Sequence, residues 1–261
     1  MRKMKLVAAA FGLLNLAAAS AQTAPAPRAT TIVLVHGAFA GSSSWNRVIT
    51  DLHADGYSVV AAAVPLRSLK SDAAYVASLA ASIPGPVVLV GHSYGGEVIS
   101  AAAVGRPNVK ALVFVSGLAP DIGESAASLG ARFPTGTLAT ALAPPVPLAD
   151  GTTDLYILQS RYWKQFAADV PEEEASQMAS TQRPVSGTAL GEPAAAQSWR
   201  TLPSWFIWGS LDRNIPAALH AFMAKRAGAR AAIEVPGASH VVMISHHRAV
   251  ADLVEQAAAA E

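Results

Sequence analysis

Short runs of consecutive apolar residues alternate along the chain with longer segments of amphipathic character. Thr31–Val35 and Pro86–Val90 are almost wholly aliphatic, as expected of parallel strands that are buried on both faces. Further strands are predicted at Tyr57–Ala62, Val109–Val115, Ser204–Trp208 and Ala231–Val235. Helices are predicted at Ser43–Ala54, Asp72–Ile83 (Ser71 marking its start), Gly95 to about Val104, Pro216–Ala227 and Arg248–Ala260. This alternation predicts an α/β fold with a doubly wound, mostly parallel sheet.

The alternation stops between about residues 118 and 202. This stretch contains no strong strand pattern and is rich in proline and small residues, with helical patterns at Tyr156–Ala167 and Pro171–Ala179. It is too long for a loop in a compact domain. We expect a helical cap over the carboxyl edge of the sheet, where open α/β folds bind their ligands.

The segment Gly91–Gly95 reads Gly-His-Ser-Tyr-Gly and lies between a predicted strand and a predicted helix. In that context the pattern G-x-S-x-G indicates a tight turn that lifts the serine hydroxyl above the sheet, with glycines where a Cβ would collide. The helix that follows would also direct its positive end at negative charge developing in acyl transfer. Ser93 is therefore the predicted nucleophile, and a purely structural turn is the alternative.

A serine nucleophile needs a base to take its proton. His240 follows the last predicted strand in a loop of small residues, which places it at the same sheet edge as Ser93. We therefore predict that His240 is the base. Other roles are expected for the remaining histidines. His36 and His92 should form structural hydrogen bonds in the glycine turns, and His53 and His220 should lie at the surface of helices. His246 and His247 should be solvated or cap the last helix.

A carboxylate should orient that histidine from the same edge of the sheet. Asp212 lies four residues after Trp208 and is the preferred candidate, although it could instead form an Asx turn or cap the helix at Pro216. Asp121, which follows the Val109–Val115 strand, is the alternative. For the oxyanion hole, the predicted donors are the backbone N–H groups of Tyr94 and of Ala38, in the loop after the first strand.

These motifs resemble those of the α/β-hydrolase fold superfamily, in which the triad also follows the order Ser, Asp, His. Within it the chain is similar to the esterase and hydroxynitrile-lyase group that includes the plant methylesterases. The matching residues are His36–Phe39 with Trp45, the Gly91–Gly96 turn, Asp212 with Ile215-Pro216, and Gly237–His240 with Met243. The resemblance implies a Ser-His-Asp triad, a helical cap, small ester substrates and no cofactor or metal.

Two positions favour the hydrolase branch of that group. Lyase members usually carry Thr after the first-loop His and Lys after the catalytic His, whereas this chain has Gly37 and Val241. Haloalkane dehalogenases use an Asp nucleophile, whereas the corresponding residue here is Ser93.

Aromatic residues of the first loop and the cap are candidates for a substrate pocket, although aromatics at helical spacing also commonly form core. The candidates are Phe39, Trp45, Tyr94, Tyr162, Trp163, Phe166 and Trp199. No charged residue stands out as a substrate anchor, so a neutral, partly apolar ester is expected.

Composition narrows the functional classes further. The 261 residues are 52% hydrophobic and 14% charged, which excludes disorder for most of the chain. The formal net charge of +1 gives no sign of a nucleic-acid partner. The absence of cysteine excludes disulfides, thiolate metal sites and cysteine nucleophiles.

The first 21 residues have the pattern of a signal peptide. Arg2, Lys3 and Lys5 precede the apolar run Leu6–Ala19, and Ala19-Ser20-Ala21 is an A-x-A cleavage site. The run is shorter than the roughly 20 apolar residues that a membrane-spanning helix needs, which favours a cleaved signal peptide over the alternative, an uncleaved anchor helix. We expect a hydrolase domain at residues 22–261, exported to a bacterial periplasm or beyond, without a stable membrane anchor.

The sequence thus predicts an exported carboxylesterase that acts through an acyl-enzyme. The alternatives are lactone or C–C bond hydrolysis, or cofactor-free perhydrolysis, with the same triad. A non-catalytic ligand-binding protein on this fold is a third reading, but it would have no need of a complete triad and both oxyanion loops.

The signal-peptide prediction is tested by N-terminal sequencing of protein recovered from the periplasm or medium. The mature chain should begin at Gln22 or within a few residues of it. Membrane-bound protein that still begins at Met1 would instead support the uncleaved anchor.

Overall fold

The computed structural model of the protein describes residues 29–260, together with Met1. The signal peptide predicted over residues 1–21 lies, apart from Met1, outside the described residues. The strands are β1 (Thr31–Val35), β2 (Ser58–Ala62), β3 (Val87–His92), β4 (Val109–Val115), β5 (Val146–Pro147), β6 (Thr153–Leu155), β7 (Val185–Ser186), β8 (Ser204–Gly209) and β9 (Ala231–Val235). The helices are α1 (Asn46–Ala54), α2 (Leu69–Ser82), α3 (Tyr94–Ala102), α4 (Ala126–Arg132), α5 (Leu138–Ala141), α6 (Gln159–Phe166), α7 (Glu172–Thr181), α8 (Gly187–Gly191), α9 (Ala217–Arg226), α10 (Val242–Ser245) and α11 (His247–Ala259).

Six strands form one parallel sheet in the order β2-β1-β3-β4-β8-β9. The chain moves outward from β1 to β2 and then returns to the other side of β1, so the strand order reverses between β1 and β3. Val35 pairs with Gly91, which places the ends of these two strands side by side. The predicted doubly wound α/β sheet is confirmed, and its switch point lies where such folds bind ligands.

Helices cover the sheet on both faces. α11 packs on β3, β4 and β8 and against α1, while α3 packs on β1, β3 and β4 and against α2. On α11 the buried positions Val250, Leu253, Val254 and Ala257 recur at helical spacing, so one stripe faces the sheet. Burial of this stripe fixes the helix on the core.

Within the described residues, no helix combines the length and the apolar character needed to cross a membrane.

The predicted start of the second helix is wrong. α2 begins at Leu69 because the Ser68 hydroxyl, in extended backbone, accepts the Ser71 N–H at 3.1 Å. This is the usual geometry of an N-cap, in which the hydroxyl accepts a hydrogen bond from the third helical N–H. Ser71 is therefore the partner of the cap rather than the cap itself.

The chain between β4 and β8 contains helices α4 to α8 and, in addition, a small antiparallel sheet of order β5-β6-β7. These strands were not predicted, because strands of two or three residues are too short to produce a strong alternating pattern. Arg67, in the loop after β2, donates to Asp154 of β6 at 2.6 Å and to the Pro184 carbonyl at 3.1 Å. These bonds attach the insertion to the main sheet.

The close approach of α3 to β1 predicts the effect of adding one methyl group at Gly95. A Cβ there would lie 2.4 Å from the Val35 carbonyl oxygen, and the backbone cannot move aside cheaply. We expect Gly95→Ala to lower the free energy of unfolding by about 1–3 kcal/mol in urea denaturation. Gly130→Ala is the matched control. Its Cβ would meet no atom within 4 Å, so the better helix propensity of alanine should stabilise α4 by about 0.5–1 kcal/mol. Equal stability of the two variants would refute the steric constraint.

Candidate active site

Ser93 occupies the sharp turn between β3 and α3. Its backbone has φ +54° and ψ −125°, a region that non-glycine residues rarely adopt. The Ser93 N–H donates to the Val115 carbonyl at 3.3 Å, and its carbonyl accepts from Gly96 and Leu118 at 3.0 Å each. Neighbouring backbone on both sides therefore holds the strained turn in place.

The electrostatic surroundings of this turn include a buried acid one helical turn further along α3. Glu97 is 1% exposed, and burial raises the pKa of its carboxyl well above the ordinary value of 4.5. A protonated Glu97 places no negative charge behind the amino end of α3. A neutral Glu97 thus does not oppose the positive end of the helix dipole at Ser93.

His240 reaches toward β3 because its loop crosses the end of β8. A Cβ on Gly209 would lie 2.2 Å from the Ser239 carbonyl oxygen, so only glycine leaves room for this crossing. The Leu211 N–H donates to the Ala238 carbonyl at 2.9 Å and fixes the loop. The loop is also held from β3, because His92, the residue before Ser93, donates from Nε2 to the His240 carbonyl at 3.2 Å. The crossing brings His240 against the residue that precedes Ser93.

The His240 ring is oriented by a carboxylate. Its Nδ1 donates to Asp212 Oδ2 at 2.7 Å, and the ring packs against Phe166 with centroids 5.0 Å apart. His240 Nε2 is buried and has no hydrogen-bond partner among the described residues. With its proton on Nδ1, the imidazole presents Nε2 as the acceptor that a general base requires.

Asp212 is buried and bonded at both oxygens. Oδ1 accepts the N–H groups of Asn214 and Ile215 at 2.8 and 2.9 Å, and Oδ2 accepts from His240 and from His220, the latter at 3.1 Å. Burial alone would raise the pKa of Asp212, but the two histidines outweigh it and hold this pKa well below its ordinary value. Asp212 therefore forms the Asx turn and contacts His240 at the same time.

Asp121, the alternative carboxylate, makes different contacts. It forms an ion pair with Arg200 and accepts from Gln197 at 3.1 Å. The hydrogen bond from Arg200 lowers the pKa of Asp121 below its ordinary value. These contacts join the start of the insertion to its end, whereas Asp212 is the carboxylate that bonds His240.

The loop after β1 lies directly against Ser93. A Cβ on Gly37 would come within 2.6 Å of the Ser93 Cβ. His36 donates from Nδ1 to the Gly37 carbonyl at 3.0 Å and accepts the Val64 N–H at Nε2, and burial lowers its pKa to about 4. The N–H groups of Ala38 and Tyr94 donate to no other described residue. Both predicted oxyanion donors are thus available beside Ser93.

A cavity of about 410 Å³ adjoins Ser93. Its lining is almost wholly apolar, and the insertion supplies much of it through α4, α5 and Phe166. The lining residues are Ala38, Phe39, Ser93, Tyr94, Leu118, Ala126, Ala127, Gly130, Ala131, Phe133, Gly136, Leu138, Ala139, Leu142, Phe166, Leu190, Asn214, Ile215, Pro216 and Leu219. The Tyr94 hydroxyl is turned to Asp72, at 3.0 Å, which leaves few polar groups for a ligand.

The sequence family can now be assigned. The sequence model of the alpha/beta hydrolase family matches residues 32–253, which is most of the chain. The chain belongs to this family. A search of curated proteins by sequence gives no match.

Solved structures of other alpha/beta hydrolases are similar over nearly the whole chain. Polyneuridine aldehyde esterase is 20% identical, with a TM-score of 0.76 and coverage of 88% of this chain and 99% of that one. A pyrethroid hydrolase from Sphingobium faniae JZ-2 is 23% identical, with a TM-score of 0.70 and coverages of 88% and 98%. A methylesterase from Arabidopsis is 15% identical, with a TM-score of 0.71 and coverages of 87% and 98%. At such identities the similarity concerns the fold.

The aromatic candidates for the pocket of this alpha/beta hydrolase lie in different places. Phe39 and Phe166 line the cavity. Tyr162 packs behind them and donates its hydroxyl proton to the Phe39 carbonyl at 2.9 Å. Trp45 lies beneath the turn, edge-on to His92, and Trp163 donates to the Val170 carbonyl, so neither tryptophan is part of the lining. The sequence does not single out the lining alanines, because a small apolar residue has the same pattern in a cavity wall as in the core.

The surface location expected for His220 is wrong. This side chain is 1% exposed, whereas His53, expected in the same class, is exposed. His220 lies on α9 beside the buried Leu219 and one turn before Met223 and Ala224, which are also buried. That spacing was the available signal that its side of the helix faces the core.

Among residues 29–260, no group of three or more His, Asp or Glu side chains is arranged to hold a metal ion.

The contacts of the two carboxylates predict different effects of their replacement. Asp212→Asn should present an amide donor to His240 Nδ1 and favour the wrong tautomer, slowing covalent labelling of the protein by a fluorophosphonate by roughly 10³–10⁴-fold. Asp121→Asn should change the labelling rate less than about twofold, because Asp121 bonds Arg200 instead. Circular dichroism must show that both variants fold. A severe defect in Asp121→Asn alone would show that Asp121, after β4, is the carboxylate that orients His240.

Proposed function

We propose that the protein is an exported serine hydrolase that cleaves small, neutral carboxylic esters through an acyl-enzyme. The observation that carries the proposal is the His240 ring. Asp212 holds its Nδ1, its Nε2 has no partner among the described residues, and Ser93 lies in a strained turn beside an apolar cavity. This arrangement suits activation of a serine hydroxyl. Export is inferred from the pattern of residues 1–21 alone.

In the proposed reaction, Ser93 Oγ attacks the ester carbonyl while His240 Nε2 takes its proton. The buried Asp212 carboxylate stabilises the imidazolium that forms. The tetrahedral intermediate collapses as His240 returns the proton to the leaving alcohol, which leaves an acyl group on Ser93. Water then attacks the acyl-enzyme while His240 takes one of its protons, and His240 returns that proton to Ser93 Oγ as the bond between Oγ and the acyl carbon breaks and the carboxylic acid departs.

The oxyanion of each tetrahedral intermediate would be bound by the backbone N–H groups of Ala38 and Tyr94. Each donor can supply about 3 kcal/mol of transition-state stabilisation, because it is fixed before charge develops. Tyr94 opens α3, so the helix dipole adds to this stabilisation. The Gly37–Ser93 contact keeps the two donors on adjacent segments.

The cavity supports the proposal of a neutral substrate. Its lining carries no ionisable side chain apart from the Tyr94 phenol, whose hydroxyl is bonded to Asp72, so a charged substrate would lose hydration without gaining an ion pair. An uncharged ester with a small apolar acyl or alcohol group fits this environment. The names of the similar solved structures, an esterase, a pyrethroid hydrolase and a methylesterase, also support ester cleavage.

Replacement of Ser93 tests the proposal directly. Ser93→Ala should abolish fluorophosphonate labelling and lower turnover of p-nitrophenyl acetate and butyrate by at least about 10³-fold, and His240→Ala should cost about as much because the triad acts as a unit. His247→Ala is the matched control, since His247 bonds Asp51 at the surface, and it should leave turnover nearly unchanged. Retention of more than a few per cent of turnover in Ser93→Ala would exclude Ser93 as the nucleophile. Labelling of the wild type without cleavage of either p-nitrophenyl ester would point to lactones or another acyl substrate.

A further inference from the structure

Two histidines share one oxygen of the Asp212 carboxylate. His240 Nδ1 lies 2.7 Å from Oδ2, and His220 Nε2 lies 3.1 Å from the same atom. The side chains of both histidines are 1% exposed, and that of Asp212 is fully buried. The proposed triad uses only one of these imidazoles, so the second needs its own explanation.

The proton of His220 can be placed from its contacts. An ionised carboxylate accepts hydrogen bonds only, so His220 Nε2 must carry the hydrogen. His220 Nδ1 is buried and has no partner among the described residues, which is compatible with the neutral ring. Asp212 raises the pKa of His220, but burial lowers it more. The net lowering of this pKa keeps the ring neutral near pH 7. His220 is therefore a neutral N–H donor to Asp212.

The position of this donor is rigid. His220 extends from α9, and its ring stacks on Trp208 of β8 with centroids 5.7 Å apart and planes 21° apart. The indole of Trp208 is itself held by a hydrogen bond to Glu234 of β9 at 3.2 Å. A helix and two strands thus fix the His220 N–H, whereas Asp212 lies in a loop.

We propose that His220 is a positioning residue that holds the Asp212 carboxylate in place and limits its basicity toward His240. The inference rests on the proposed triad. His220 occupies the second acceptor direction of Oδ2, so it competes with His240 for the electron density of that oxygen. Together with the two backbone N–H groups on Oδ1, it opposes rotation of the carboxylate away from the His240 ring.

Removal of the His220 donor should have two separable effects. Without it, Oδ2 interacts with His240 alone, and the more basic carboxylate stabilises the His240 imidazolium more strongly. The acid limb of the profile of kcat/KM against pH should then move to higher pH, because more of the enzyme has a protonated base. The plateau should fall as well, since the carboxylate is less well fixed. The charged or titratable groups that face His220 are Asp212, His240 and Glu234. Those that face His240, whose protonation sets the acid limb, are Asp212 and His92, whose ring centroid lies 4.7 Å from that of His240.

The test compares His220→Leu, which lacks a donor, with His220→Gln, whose amide N–H can replace it. His220→Leu should lower kcat roughly 10- to 100-fold, the range for loss of a hydrogen bond to a charged group, with KM changed less than about threefold. Its acid limb should move up by about 0.5–1 pH unit. His220→Gln should recover most of both properties, and His53→Leu, at an exposed helical histidine, should match the wild type.

Other outcomes would overturn the inference. If the Leu and Gln variants lose activity equally and neither acid limb moves, His220 only fills space beside Trp208. Absence of Ser93-dependent turnover in the wild type would instead refute the proposed function, which is a distinguishable result.

A second measurement needs neither a folded Leu variant nor a known substrate. In ¹⁵N-histidine-labelled wild-type protein, NMR near pH 7 should show His220 as the neutral tautomer with hydrogen on Nε2. Its signals are assigned by their loss in His220→Gln. A tautomer with hydrogen on Nδ1, or a ring that titrates as if in free solution, would refute the hydrogen bond to Asp212.

Discussion

Beneath the carboxyl edge of the sheet, the Asp212 side chain carries a negative charge out of contact with water. Burial of an uncompensated carboxylate would be prohibitive, and four hydrogen bonds, two from backbone N–H groups and two from imidazoles, make it tolerable. These bonds come from the β8–α9 loop, from α9 and from the loop after β9. Satisfying one charge therefore locks three segments together, and the orientation of His240 follows from that.

The parallel sheet explains how distant parts of the chain meet at this charge. Every strand ends at the same edge, so the turn after β3 and the loops after β1, β8 and β9 all emerge there. β4 and β8 still separate β3 from β9, and the crossing of the His240 loop over Gly209 spans that gap. Close packing at Gly37, Gly95 and Gly209 thus sets the relative positions of Ser93, His240 and the N–H groups of Ala38 and Tyr94, the proposed nucleophile, base and oxyanion donors.

Local patterns in the sequence predicted the sheet and the placement of Ser93, because buried strands and glycine turns depend on neighbouring residues. β4 and β9 have the predicted bounds, and Asp212 and His240 meet as their positions after adjacent strands suggested. The second imidazole on Asp212 was missed, since its burial depends on how α9 is rotated against β8. The strands of the insertion were missed because their pairing is non-local and each has three residues or fewer.

The alanines that line the cavity have a consequence for how this enzyme can evolve. Ala127, Ala131 and Ala139 belong to the insertion, and none of them contributes to the sheet or to the hydrogen bonds of Asp212. The space they border exists because their side chains are short, so exchange for a longer apolar residue subtracts volume where a substrate would lie. For the proposed esterase, an exchange of alanine for valine in this one segment would therefore change which esters fit, while Ser93, Asp212 and His240 stay as they are.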